Sequence, residues 1–213
     1  MPKVFKLVIT GGPCGGMSTG IKEIEKHYTA LGYKVILINQ TSDELIKGGV
    51  TPWEGESIDF HYTLLSIQLY KERMYSDWSG HLNSDKVLIV CERGALDYKV
   101  HLTQTDFDIL MEKLNTNEVD LRESYDAVFH LISVVNISEE AYYKHKKNDK
   151  GKIESPEQIR AFNEKFLTAW TGHPNLYILE STTDFESKIA NLISEIAEFL
   201  GVPKQPYHPT ASS

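Results

Sequence analysis

The stretch VFKLVITGGPCGGMSTG, residues 4–20, decides the fold. Val4 to Thr10 is a short, nearly continuous apolar run, the pattern of a strand covered by helices on both faces. Gly11-Gly12-Pro13 stops it, and after Gly16 the apolar residues Ile21, Ile24, Tyr28 and Leu31 recur at near-helical spacing until Gly32 supplies a C-terminal stop. Between strand and helix, Gly11, Gly12, Pro13, Cys14, Gly15, Gly16, Met17, Ser18 and Thr19 fall into the G-x-x-x-x-G-x-[ST] frame of a phosphate-binding loop. The glycines let successive backbone N–H groups point inward around a phosphate, and the helix starting near Gly16 adds the positive end of its dipole. ATP or GTP phosphates are therefore expected on Gly12–Thr19, with the Ser18 hydroxyl on Mg²⁺. A glycine-rich turn without a ligand is the plain alternative.

Position 17 departs from this motif, which places a lysine there to hold the β/γ-phosphates and the transferring phosphoryl group. Met17 carries no charge. A charged hydrogen bond contributes about 1.5–3 kcal/mol net, so its loss weakens binding by roughly one to two decades and slows transfer further. Three explanations stand: an engineered inactivating substitution, a natural binder that has given up catalysis, or a lysine supplied from elsewhere in the chain.

Working outward, short β-branched runs alternate with segments of helical period, the pattern of βα units around a parallel sheet. Five strands are readable at Val4–Thr10, Lys34–Asn39, Lys86–Cys91, Ala127–Ile132 and Asn175–Leu179. Their pattern gives a three-layer α/β fold, a five-stranded parallel sheet covered by helices on both faces. Ile58 to Asp77 reads as a long helix with Leu64, Leu65 and Leu69 toward the core. A shorter one opens at Thr105 with a threonine cap. Ser155-Pro156-Glu157-Gln158 combines a serine cap, proline at the first helical position and glutamine three residues after the cap. Thr183-Asp184-Phe185-Glu186 repeats that logic for a last helix striped by Ile189, Leu192, Ile193, Ile196 and Leu200. One domain over residues 1–203 is expected, followed by a disordered tail, 204–213, rich in proline and small polar residues.

A second group follows the third strand, in Cys91-Glu92-Arg93-Gly94-Ala95-Leu96-Asp97. The carboxyl end of a buried strand lies over the crevice where doubly wound sheets bind ligands. Glu92 there is a candidate general base or, through water, a Mg²⁺ ligand, and Arg93 a bidentate phosphate clamp. A strand-end salt bridge between them is the alternative. Third, Lys144-His145-Lys146-Lys147-Asn148-Asp149-Lys150-Gly151-Lys152 concentrates lysine in an acidic chain. Lys146 and Lys147 are candidate phosphate contacts on a closing lid, weighed evenly against a solvated loop. Gln40 ends the second strand where a carboxylate would help an acceptor or a metal. Trp53, His61, Gln68 and Trp78 are possible acceptor contacts, although such aromatic residues more often belong to a core.

The chain has 213 residues, 41% hydrophobic and 24% charged, with 22 Lys+Arg against 30 Asp+Glu, a net charge of −8. That balance disfavours nucleic acid as a partner, since duplex binding depends on clustered cations. No segment has the length of a membrane span or a signal peptide. Two cysteines, Cys14 and Cys91, make neither a disulfide framework nor a thiolate zinc site, and a reducing, cytoplasmic setting fits. Cys14 is not a phosphatase nucleophile, because the sixth residue after it is Gly20 rather than arginine.

Beyond the loop, the blocks VFKLVITGGPCGG, LIKGGVTPW, QLYKER, KVLIVCERGALDYK, YDAVFHL, AWTGHPNLYIL, TDFESKI and EIAEFLG occur in order along nearly the whole chain. In these the chain resembles the AAA-type ATP-binding domains of the AAA_28 group of P-loop NTPases. That group is related to the nucleotide-binding part of the TRPL translocation defect proteins and, more distantly, to nicotinamide riboside kinase-like domains. The resemblance implies a kinase-like sheet with ATP or GTP and Mg²⁺ at Gly11–Thr19. It also implies lysine at position 17, usually an acid at 40 and an aspartate at 92, and an arginine in the lid, where this chain has Met17, Gln40, Glu92 and lysines. The expectation is a P-loop nucleotide-binding protein that transfers phosphoryl to a small-molecule acceptor near Gln40, Glu92 and Arg93, or hydrolyses NTP. Its activity is impaired by Met17. The rival is a non-catalytic, nucleotide-regulated interaction module with a protein partner.

Overall fold

The structure is a computed structural model that describes residues 2–146, 155–182, 184–205 and 207. Five strands, β1 (Lys3–Gly11), β2 (Lys34–Ile38), β3 (Lys86–Glu92), β4 (Ala127–Leu131) and β5 (Leu176–Leu179), form one sheet in the order β2-β3-β1-β4-β5. All four pairings are parallel. The predicted strands recur with ends shifted by one residue or so. Their apolar runs are continuous because both faces are covered: Leu7–Ile9, Val87–Cys91 and Ala127–Phe129 are fully buried.

Eight α-helices lie among the described residues: α1 (Met17–Ala30), α2 (Thr41–Lys47), α3 (Ser57–Ser79), α4 (Gln104–Lys113), α5 (Glu118–Glu123), α6 (Glu139–Lys146), α7 (Pro156–Trp170) and α8 (Phe185–Leu200). Side chains alternate across the sheet, so β1 feeds two cores. Leu7 and Ile9 meet Ile21 and Ile24 of α1 and Leu192 and Ile196 of α8, whereas Val8 meets Leu64 and Leu65 of α3, Phe107 of α4 and Trp170 of α7.

The helix signals were read with uneven success. Ser155 forms the expected capping box with Gln158, and the left-handed Gly32 (φ 83°) follows α1. Thr103, not Thr105, caps α4 by accepting from the Asp106 N–H. At α8 the cap is Asp184, which accepts from the Glu186 N–H, while Thr183 lies outside the described residues. Trp53 and Trp78 are 70% and 53% exposed, against the expectation of core aromatics, and the core tryptophan is Trp170. Most of the tail lies outside the described residues, yet Lys204 pairs with Glu198 and Tyr207 packs beside His27.

Candidate functional site

The register of the sheet brings the two sequence motifs together. Ile9 pairs with Glu92, and the Arg93 N–H donates to the Ile9 carbonyl at 3.2 Å, so the loop leaving β1 and the residues ending β3 share one rim. That rim is the carboxyl end of the strands, where the chain runs from β1 to both sides of the sheet.

Within the loop, Gly16 adopts φ 93° immediately before α1, and no side chain caps that helix. Its first turn contains no acid, so the helix presents uncompensated N–H groups at its positive end, the requirement of an anion site. Gly12 is needed for a different reason. Its N–H donates to Asn163 Oδ1 of α7 at 2.8 Å, and a Cβ there would come within 2.2 Å of that oxygen. Met17 turns its side chain into the cluster of Ile21, Ile24 and Leu192. Ser18 donates its hydroxyl to Glu92 Oε1 at 3.0 Å. The two residues expected to serve a metal thus converge.

This pair fits Mg²⁺ on its chemistry. Both are hard oxygen donors, the Ser18 hydroxyl fit for direct coordination and the Glu92 carboxylate for holding a coordinated water. No group of three or more His, Cys, Asp or Glu suited to a metal occurs among the described residues. That suits Mg²⁺, which takes one or two protein ligands and fills its shell with water and phosphate.

Arg93 meets its expected role only in part. Its Nη1 donates to the Gly11 carbonyl at 2.6 Å and its guanidinium lies 4.1 Å from the centroid of Phe166. One edge of the fork therefore braces the loop. No ion pair joins Glu92 and Arg93 among the described residues, so the salt-bridge alternative is not what the structure forms. The backbone of Arg93 is left-handed (φ 70°), a costly conformation for a non-glycine residue. Gln68 of α3 steadies it by donating to the Arg93 carbonyl at 3.4 Å. Fully buried, Gln68 is thus a support for the strand end rather than a contact for an acceptor.

Beside Arg93 opens a cavity of about 450 Å³ lined by Pro13, Gln40, His61, Arg93, Asp97 and Phe166, among others. Its walls mix aromatic rings with polar and charged groups, the rings of His61 and His101 standing 6.1 Å apart. Gln40 caps no helix with its side chain and instead donates to Ser42 at 2.9 Å and Asp43 at 3.2 Å. Asp97 was not singled out from the sequence. It accepts from Thr10 at 2.5 Å, Trp170 at 2.8 Å and the Gly94 N–H at 2.8 Å. Burial pushes its carboxyl above the ordinary range, opposed by the nearby Arg93 charge and by those hydrogen bonds. With its oxygens so engaged, Asp97 fixes the cavity floor, and Asp43 is the other carboxylate in the lining.

A second cavity, of about 360 Å³, opens on the other flank of the loop, lined by Cys14, Gly16, Thr19, Ile137, Phe185 and Lys188, among others. No local pattern marks Lys188, which reads as one polar residue in the first turn of an amphipathic helix. Its ammonium donates to the Gly15 carbonyl at 2.8 Å and the Ile132 carbonyl at 2.5 Å. Of the basic segment, Lys146 is the last residue of α6, and Lys147 to Lys152 lie outside the described residues.

Among known proteins, the model of the AAA domain family AAA_28 matches residues 6–188. The solved structure of deoxyadenosine kinase from M. mycoides with bound dATP aligns over 90% of this chain and 98% of that chain, with a TM-score of 0.57 and 16% identity. That likeness is one of fold, the kinase-like P-loop arrangement of a parallel sheet and its flanking helices. A search of curated proteins finds no match.

Proposed function

The chain belongs to the AAA_28 family of AAA domains, a P-loop NTPase family, and on that premise we propose that it binds Mg²⁺–ATP or Mg²⁺–GTP and transfers phosphoryl to a small acceptor at a rate held down by Met17. One observation carries the reading: the uncapped, acid-free start of α1 inside the glycine loop, with Ser18 and Glu92 converging beside it. The N–H groups of that turn take the phosphates, and the dATP in the structural neighbour supports a nucleotide as their source. Ser18 would hold the Mg²⁺ directly and Glu92 only through water, which leaves its carboxylate able to take a proton from the acceptor, while the ion would supply neutralisation of phosphate charge. The acceptor lies in the cavity beside Arg93, with its reacting group toward Glu92, and Lys146 and Lys147 belong to the lid in this reading. Phosphoryl transfer needs little covalent chemistry from the protein, so the walls around Phe166 serve to position the acceptor and exclude water. A cytoplasmic setting suits two cysteines that form no disulfide among the described residues.

A second reading, a nucleotide-regulated module without catalysis, is favoured by the uncharged, partly buried Met17 side chain, which packs against the apolar cluster. Calorimetry with ATP and GTP, with and without Mg²⁺, separates these from a loop that binds nothing. Ser18→Ala is expected to make nucleotide binding markedly less dependent on Mg²⁺. An unchanged dependence would remove Ser18 from the metal site. Slow product formation by the unaltered chain, under saturating nucleotide, decides between enzyme and module.

A further inference from the structure

We infer that Lys188 is a positioning residue of the phosphate site, a cation held against the loop by α8 in a chain whose position 17 is methionine, and that the ligand's phosphate is its counter-charge. The inference deepens the nucleotide reading above and rests on it.

Three features of its surroundings lead there. Lys188 is only 3% exposed, yet it takes part in no ion pair among the described residues. A buried cation without a partnered anion is expensive, and carbonyl oxygens alone do not neutralise it. It also sits in the first turn of α8, the end of a helix where a positive charge is least favoured. Finally, its two carbonyl partners are Gly15, inside the loop, and Ile132, just past β4, so one ammonium ties the loop to the sheet. An ammonium has three N–H groups, and these carbonyls take two. The side chain lines the second cavity together with Gly16 and Thr19 at the start of α1. A phosphate there would supply the missing charge.

The groups around Lys188 are few. Glu180, after β5, favours the charged amine without pairing to it, and burial outweighs it, bringing the ammonium down to about 8. His130 of β4 is held neutral over the working range, its pKa lowered to about 4 by burial and by the charges of Arg93 and Lys188. Asp184 caps α8 itself, the loop contributes the Cys14 thiol, and α1 gives the cavity only Thr19. An anion arriving at the loop favours the protonated amine. Binding is then linked to proton uptake, and affinity falls as pH rises through the value for the free protein.

The test is calorimetry of Mg²⁺–ATP with the full chain and with Lys188→Arg at pH 7, 8 and 9, in two buffers of different ionisation enthalpy. Arginine keeps the charge but does not titrate in this range. Taking the ratio to Lys188→Arg cancels the ionisation of the nucleotide and of Cys14. The unaltered chain is expected to lose about tenfold in relative affinity between pH 7 and 9, and to take up a fraction of a proton on binding at pH 8. Parallel pH profiles with no proton uptake would overturn the role of Lys188 and leave the nucleotide reading intact. No binding by either protein at any pH would overturn both. Should Lys188→Arg fail to fold, the two-buffer measurement is made on Cys14→Ser, which removes the thiol from the cavity and keeps Lys188: proton uptake at pH 8 supports the role, and its absence overturns it.

Discussion

Arg93 and Lys188 brace the phosphate loop from opposite flanks, and they do so in different company. Arg93 donates to the Gly11 carbonyl, stacks on Phe166 and lies near the buried carboxylate of Asp97. Lys188 donates to the Gly15 carbonyl and pairs with no carboxylate among the described residues. The first flank is electrostatically closed: its cation has an anion, a ring and a carbonyl. The second flank is open, its cation without such an anion. In the proposed reading the nucleotide's phosphates complete the second side and the acceptor fills the first.

The sharpest way to break that division is through Glu92, which meets Ser18 of the loop and which the proposed reading assigns to the acceptor as its base. In a Met17→Lys background with measurable turnover, Glu92→Gln is expected to lower kcat by about 10²–10⁴ and leave nucleotide affinity nearly unchanged, the size expected for loss of a positioned base. If affinity fell as far as turnover, Glu92 would belong to the nucleotide side and the division would fail. Next in size, Met17→Lys alone is expected to tighten Mg²⁺–nucleotide about ten- to hundredfold, or roughly 1.4–2.8 kcal/mol. Equal affinities by calorimetry would mean that position 17 does not reach a phosphate, as its packing against Ile21 and Ile24 in the methionine form allows.

A smaller effect concerns the residue lying between the two cations. His130 is fully buried, neither ring nitrogen has a hydrogen-bond partner among the described residues, and burial, then Arg93 and Lys188, lower its pKa from 6.5 to about 4. A group depressed on folding contributes stability above its unfolded value, and that contribution is lost as pH falls from about 6.5 toward 4. Urea unfolding should show the protein about 2 kcal/mol less stable at pH 5 than at pH 7 on this account, and His130→Leu should remove most of that difference. An acid sensitivity that survives in His130→Leu would place its origin elsewhere. Smallest is the exchange Arg93→Lys, which keeps the charge but loses the planar stack on Phe166, at a cost of about 1 kcal/mol in a urea titration. Arg93→Ala should also weaken binding of a phosphate-bearing ligand, with lysine restoring it in part; full restoration by lysine would show that the fork itself does nothing there.

How much of this was readable beforehand varies with the range of the interaction. Ser155, Pro156 and Gln158 announce α7 because a capping box is closed within four residues, and the apolar runs of β1, β3 and β4 announce buried strands because burial on both faces leaves no room for alternation. The short helices α2, α5 and α6 went unread, since six to eight residues carry too little periodicity to stand out from a loop. Trp53 and Trp78 misled, because a large aromatic side chain signals burial only on average.

By itself the sequence determined what is local: the glycine frame at Gly11–Thr19, the strand before it, the helix after it, the missing charge at Met17 and the acid–base pair Glu92-Arg93. Tertiary structure alone decided which partners these residues meet. Glu92 turns to Ser18, 74 positions away, instead of to its neighbour Arg93, because residues 92 and 93 leave the strand end in different directions and the latter adopts a left-handed backbone. Lys188 reaches Gly15 across 173 positions only because α8 packs over β4 and α1. No local pattern encodes such a contact: helical periodicity records which face of α8 is apolar, whereas the object a buried ammonium touches is fixed by the stacking of layers.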